Sequence, residues 1–205
     1  LNALEKLEKE GLTVYPQSRV IRLIQDKGIQ KQFFKENNIP TAPFQVFGNR
    51  KELISAKIPF PYIQKLRRDG YDGRGVKTIK SDSDLEKAFE EPSLIEELID
   101  FDKELSVIVS RNEDGEIKTF PCVEMEFNAE ANLVEFLISP STLDFEILQK
   151  ADQLAIKIAD DLKIVGILAV ELFLTKEGDI LVNEIAPRPH NSGHYSLDAC
   201  ITSQF

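Results

Sequence analysis

Near the C-terminal end of the 205-residue chain, two alternating apolar runs, Ala169-Val-Glu-Leu-Phe-Leu174 and Ile180-Leu-Val-Asn-Glu184, flank the turn Lys176-Glu-Gly-Asp179. Period-two alternation on both sides of a glycine-bearing turn commits this stretch to a β-hairpin. Pairing Lys176 with Asp179 sets Glu171 opposite Glu184 on one face, their Cβ atoms ~5 Å apart, where like charges repel. A cation between them relieves the repulsion. Two hard oxygen donors with Asn183 alongside suit Mg²⁺, which takes one or two protein carboxylates and completes its shell with water and substrate phosphate. The competing reading is a pair of acids on the wet face of a half-buried hairpin. A one-residue slip in register would also separate them onto opposite faces.

The rest of the chain is read by the same periodicities. Strands are expected over residues 12–16, 60–66, 76–80, 93–99, 103–109, 117–126 and 133–138, most of them joined as hairpins. Helices are expected over residues 2–10, from Ser18, after Gly28 to Asn38, and from the capping box Ser83-Asp-Leu-Glu86. The longest helix is expected to open at a second capping box, Ser141-Thr-Leu-Asp144, and to pack the stripe Leu143, Ile147, Leu148, Ala151, Leu154, Ala155 and Ile158 on a sheet. Hairpins with a few helices define an α+β chain rather than a doubly wound one.

Between the strands at 60–66 and 76–80 lies Arg68-Asp-Gly-Tyr-Asp-Gly-Arg-Gly75. Its glycines run G-x-x-G-x-G with a strand on each side, which excludes the dinucleotide fingerprint, since that must open a helix. Lys65, Arg67, Arg68, Arg74 and Lys77 make this window basic within a chain of formal charge −10. Glycines let backbone N–H groups approach an anion, so the segment reads as a lid over phosphate, against the plainer reading of a surface hairpin. Lys27 and Lys31, one helical turn apart, read on their own as solvated lysines. The acidic balance argues against nucleic acid as a partner. No apolar run approaches the ~20 residues of a membrane-spanning helix. Cys122 and Cys200 have no neighbouring thiol, which fits a reducing cytoplasm. His190 and His194 share the spacing of a helical zinc pair, but Pro189 and Gly193 break that helix.

Lys65 with Gly70-Tyr-Asp-Gly-Arg-Gly75, Glu96 to Ile99 with Glu104, Val170-Glu171, and Asn183-Glu-Ile-Ala-Pro-Arg-Pro-His-Asn-Ser-Gly-His194 together resemble the 5-(carboxyamino)imidazole ribonucleotide synthetase family of ATP-grasp enzymes. The resemblance covers nearly the whole chain. It implies an ATP-grasp fold, two α+β lobes clasping a nucleotide, and an ATP-dependent carbon–nitrogen ligase of purine biosynthesis. The substrates it implies are ATP, bicarbonate and 5-aminoimidazole ribonucleotide, joined through carboxyphosphate. ATP contacts are implied at Lys27, Lys65, Gly70, Tyr71, Asp72, Gly73, Arg74, Gly75 and Val76, with Asn183 and Glu184 also facing the phosphates. Glu96, Glu97, Leu98 and Ile99 match an adenine hinge, Glu104 the ribose acid, and Glu171 and Glu184 the Mg²⁺ ligands. Tyr71, Asp72 and Arg74 match positions that meet the aminoimidazole, while Arg188, His190 and Asn191 match a bicarbonate pocket. Asp72, Arg188 and His190 are the residues the resemblance implies for catalysis. Phe127 stands where relatives often carry a histidine, and a homodimer is implied for the full-length protein.

Residues 1–25 are expected to be the remnant of a preceding α/β domain, 26–92 a first lobe carrying the glycine flap, and 93–205 a second lobe carrying the hinge and metal site. The chain opens at Leu1 without an initiator methionine and stops at Phe205, so a piece of a longer protein is expected. The substrate's phosphate site and one bicarbonate-binding lysine would lie outside it, and residues 1–205 alone are expected to turn over little or nothing. Competing readings are another ATP-grasp ligase, a formate-using one included, and a catalytically silent nucleotide-binding module.

Overall fold

The structure, a computed structural model, describes residues 1–68, 70, 75–128 and 133–205. In chain order the helices are α1 (Asn2–Lys9), α2 (Ser18–Ile24), α3 (Lys27–Glu36), α4 (Arg50–Ala56), α5 (Phe145–Leu162) and α6 (Ser196–Ala199). The strands are β1 (Phe44–Phe47), β2 (Tyr62–Leu66), β3 (Val76–Ile79), β4 (Ser93–Glu97), β5 (Phe101–Arg111), β6 (Ile117–Thr119), β7 (Val123–Asn128), β8 (Leu133–Ile138), β9 (Gly166–Thr175) and β10 (Ile180–Ala186). Among the described residues no helix is long and apolar enough to cross a membrane.

Two antiparallel sheets result. The smaller has the order β1-β4-β2-β3, and its alternating apolar residues Phe47, Tyr62, Ile79 and Ile95 pack with Leu53 of α4. The larger has the order β10-β9-β5-β7-β8, with β6 paired to β5. One face of it carries Leu105, Val107, Leu168, Val170 and Leu172, which meet Ala151, Ala155, Ile158 and Leu162 of α5. Small alanines on that stripe let the helix approach the sheet closely, and each fully buried Leu or Ile contributes roughly 1.5–3 kcal/mol. Opposite faces of the same strands are left to line a cleft.

The packing divides the chain differently from the boundaries expected at 25/26 and 92/93. Val20, Phe34 and Ile39 enter the core of the large sheet, so α2 and α3 pack on it, while Lys31 of α3 also reaches Glu96 of the small sheet. Arg19 tightens this join by donating to the Leu162 and Lys163 carbonyls at 2.8 and 2.9 Å, groups that the end of α5 leaves unpaired. Strand β4 stays with the small sheet because it hydrogen-bonds to both β1 and β2. The strand expected over 12–16 is absent; that segment is an irregular connection between α1 and α2. The capping box expected at Ser83 gives only a 3₁₀ turn, Asp82–Lys87.

The second capping box also resolves differently. Helix α5 begins at Phe145, and Asp144 makes no side-chain cap. Ser141 and Thr142 turn instead to the buried Glu124 of β7, which accepts from Ser141 Oγ at 2.8 Å, Thr142 N–H at 2.7 Å and Thr142 Oγ1 at 3.0 Å. Lys103 Nζ completes the set at 2.5 Å. Burial opposes the charge on Glu124, but Lys103, Ser141 and Thr142 outweigh it and bring the carboxyl down to about 2. A depressed carboxylate stabilises the fold above its unfolded value and loses that contribution as pH falls through the folded one. Glu124→Gln is therefore expected to cost roughly 2–3 kcal/mol at neutral pH. The gap from the unsubstituted protein should close between about pH 4.5 and pH 2 in denaturation series. A gap that stays constant over that range would contradict the assignment.

Candidate active site

Strands β9 and β10 close where the Thr175 N–H donates to the Asp179 carbonyl at 2.9 Å. Ile180 faces Leu174 and Val182 faces Leu172, yet Glu184 faces Glu171. The hairpin thus starts one residue off the register expected from Lys176 and Asp179, and a β-bulge at Asn183 brings the acids back opposite each other. The bulge presents two consecutive side chains, Asn183 and Glu184, to the cleft, while Val182 and Ile185 remain in the core. Re-aiming side chains in this way is what a bulge does at a sheet edge.

The electrostatics of the pair are unbalanced. Burial first, then Glu184 and Glu104, push the Glu171 carboxyl up to about 7, against the pull of Lys27 and Lys65. Lys27 Nζ lies 2.5 Å from Glu184 Oε1, and His190 Nε2 lies 3.4 Å from Glu171 Oε1. Among the described residues no three His, Cys, Asp or Glu side chains are grouped to hold a metal by themselves. Two facing carboxylates, with burial and the neighbouring Glu184 opposing the charge on Glu171, nevertheless fit a hard divalent cation that takes its other ligands from water and phosphate.

Lys65, on β2, donates to Asn183 Oδ1 at 2.9 Å and pairs with Glu96 Oε2 of β4 at 2.9 Å. Burial opposes the Glu96 charge, but Lys65 and Lys31 outweigh it and hold the carboxyl below its ordinary value. Lys31 is therefore not the solvated lysine expected; it is buried against Glu96. The basic window is also less uniform than its composition implied. Arg67 and Arg68 pair with Asp26 at 2.8 and 3.3 Å, and Asp26 in turn caps α3 by accepting from the Gly28 and Ile29 N–H groups. Lys77 lies over the Phe89 ring, 4.1 Å from its centroid. Of these four described cations, only Lys65 lines the cleft.

Gly70 and Val76 line the cleft as expected, whereas Gly75 does not. Gly75 has φ +79°, and its carbonyl accepts from the Leu66 N–H at 2.8 Å, so it shapes the start of β3. Tyr71, Asp72, Gly73 and Arg74 lie outside the described residues. Glu97, Leu98 and Ile99 form the link between the two sheets, and with Glu96 they line the cleft of about 430 Å³. Glu104 faces the same space, pushed up to about 7 by burial with Lys65 opposing. Sequence reading missed Phe101 and Phe173, which stack 4.6 Å apart at 10° on the cleft wall. Phe173 sits two residues after Glu171 and so shares its face, a signal that the alternation already carried.

Beyond β10 the chain brings Arg188, His190 and Asn191 to the cleft. Arg188 is exposed and donates to the Pro189 carbonyl at 3.1 Å. Buried Ser192 ties the loop down, 2.9 Å from His190 Nδ1 and 2.7 Å from Ser106 Oγ of β5. Gln204 holds the His190 backbone from both sides, accepting its N–H at 3.0 Å and donating to its carbonyl at 2.8 Å. A Cβ at Gly193 would come within 2.4 Å of Gln204 Oε1, so a larger residue there would push aside the amide that holds the His190 backbone. His194 is exposed and stacks on Phe205, 6.4 Å between centroids.

Two antiparallel α+β lobes with a polar cleft between them define the ATP-grasp class, and the ATP-grasp domain family matches residues 32–205. The chain belongs to that family. It is similar to the N5-carboxyaminoimidazole ribonucleotide synthase of Bacillus subtilis (strain 168), 42 % identical over 195 residues, which are 92 % of this chain and 50 % of the relative. Among solved structures, the carboxyaminoimidazole ribonucleotide synthase of Aspergillus clavatus complexed with ATP aligns with a TM-score of 0.91 at 32 % identity, over 99 % of this chain and 55 % of that one. The A. clavatus synthase in complex with ADP and 5-aminoimidazole ribonucleotide aligns at 0.88 with 30 % identity, over 99 % and 54 %. The chain spans about half the length of these relatives.

Proposed function

We propose that the chain is the nucleotide-binding and phosphoryl-transfer part of an ATP- and bicarbonate-dependent ligase that carboxylates the amine of 5-aminoimidazole ribonucleotide in purine biosynthesis. The observation that carries the reading is the meeting, in one cleft, of the Lys65 ammonium, the facing acids Glu171 and Glu184, and the loop bearing Arg188, His190 and Asn191. It is supported by the name of the B. subtilis relative and by the ligands of the A. clavatus structures. A cytoplasmic, homodimeric full-length protein is part of the same proposal.

Bicarbonate is a poor electrophile and is activated first. Lys27 and Lys65 would meet the nucleotide phosphates and offset charge as the γ-phosphoryl group passes to a bicarbonate oxygen and ADP leaves. Glu171 and Glu184 would hold Mg²⁺, which when bound supplies charge neutralisation at that phosphoryl group. Arg188 would grip planar bicarbonate through its fork of donors, with His190 and Asn191 beside it. The substrate amine then attacks the carboxyl carbon of carboxyphosphate, phosphate leaves, and the amine proton passes to a base, for which Asp72 is the candidate. Glu97, Leu98 and Ile99 would take the adenine and Glu104 the ribose hydroxyls.

In the full-length protein, ADP release is expected to require 5-aminoimidazole ribonucleotide and bicarbonate together, with the carboxylated amine as product. Release supported by formate in place of bicarbonate would sink the reading and favour a formate-using ligase. No amine-dependent release with either would favour a silent nucleotide-binding module.

A further inference from the structure

Lys31 is 2 % exposed and does not line the cleft, so it is out of reach of any ligand bound there. Its Nζ lies 3.1 Å from Glu96 Oε1. It also donates to Thr41 Oγ1 at 2.5 Å, and Thr41 in turn donates to the Val182 carbonyl at 2.6 Å, immediately before the bulge. Glu96 Oε1 is buried and has no directed hydrogen bond, so the Lys31 charge is what compensates it. The other oxygen takes Lys65 at 2.9 Å. One carboxylate therefore stands between two ammonium groups, and the trio keeps a net positive charge. Burial pulls Lys31 down to about 8, with Glu96 opposing the shift, so it stays protonated at neutral pH.

We infer that Lys31 is a positioning residue for nucleotide phosphates. By neutralising Glu96 from behind, it leaves the charge of Lys65 available to the cleft and keeps that ammonium between Glu96 and Asn183. Without Lys31, Glu96 pairs with Lys65 alone and cancels it. Removing Glu96 as well should give the charge back. The inference rests on the nucleotide reading above, and concerns only which residues set the phosphate affinity.

The test is calorimetric binding of ADP and of adenosine to the full-length protein. The quantity to follow is the ratio of the two affinities, since adenosine carries no phosphate. Lys31→Met is expected to lower that ratio about tenfold, the order expected for cancelling one charge near an anion. The double variant Lys31→Met/Glu96→Gln is expected to return it to within about threefold of the unsubstituted protein. A merely structural role would weaken both ligands together and leave the ratio unchanged, which would overturn the inference. So would a double variant as impaired as the single one. Should Lys31→Met not fold, Lys31→Gln takes its place with the same expected ratios, because it keeps a polar N–H donor at that position and removes the charge. An unsubstituted protein that binds ADP no better than adenosine would refute the nucleotide reading itself. An ADP preference that Lys31 variants leave intact would refute only the role of Lys31.

Discussion

Lys65→Met in the full-length protein is expected to lower kcat for ADP release by roughly 10²- to 10³-fold, the range found when a fixed charge or donor aimed at a transition state is removed. Lys65 is 9 % exposed, and its ammonium is held at 2.9 Å by both Glu96 and Asn183. A cation fixed in this way pays little reorganisation when charge develops on a transferring phosphoryl group. The contact brings three strands together: Lys65 from β2, Glu96 from β4 and Asn183 from the bulge in β10. The ammonium thus joins the small sheet to the large one at the point where chemistry is proposed. Lys65→Arg is not expected to restore the rate, because a planar guanidinium fork cannot occupy the same two-acceptor slot. Stability should fall by only about 1–3 kcal/mol, since Lys31 still compensates Glu96. Rate and melting temperature measured on the same preparation separate the two effects. A Lys65→Met rate within threefold of the unsubstituted protein would remove Lys65 from the phosphoryl-transfer step.

The sheets and the facing acids of the cleft were legible because they depend on local alternation. Glu171 and Glu184 could be set opposite each other from the hairpin pattern, and the structure pairs them. The route differs, and the difference was itself written in the chain. Ile180, Val182 and Ile185 are the buried positions, and a gap of three where alternation gives two marks an extra residue in the strand. Asn183 and Glu184 side by side are that residue and its neighbour.

What stayed hidden depends on contacts far along the chain. Asp26 draws Arg67 across 41 positions, so arginines that composition assigned to a phosphate lid are consumed in anchoring the start of α3. Lys31 looked like a surface lysine because helical spacing says nothing of Glu96, which arrives from strand β4 far along the chain. Ser141 and Thr142 fit a capping pattern but meet Glu124 first. In each case a buried charge claimed its partners, and an unpaired buried charge costs more than a lost local cap. The same long-range packing set the lobe boundary, since Val20 and Phe34 are apolar positions with nothing local to say which sheet they join.

Glu171→Gln is expected to move stability and activity in opposite directions. In the free protein the carboxyl has been pushed from 4.5 to about 7 by burial, Glu184 and Glu104. Below about pH 4.5 folded and unfolded chains both hold the proton, and Glu171 contributes nothing. Between that value and 7 the unfolded chain releases the proton while the folded one keeps it, so stability falls as pH rises, by up to about 3 kcal/mol. Glu104, also near 7, adds a second downward slope that the variant retains. The quantity to measure is therefore the difference between variant and unsubstituted protein, without Mg²⁺ or nucleotide. Glu171→Gln should be the more stable of the two at pH 8 and no different at pH 4. Saturating Mg²⁺ with ADP should erase the advantage, because a cation satisfies the carboxylate that the amide has replaced. Turnover should fall roughly a hundredfold or more, as expected when a ligand to the phosphoryl-bound cation is lost, and Glu184→Gln should share that loss. Full Mg²⁺-dependent turnover in either variant, or a free protein whose stability climbs from pH 5 to pH 8 relative to Glu171→Gln, would dismantle the metal assignment.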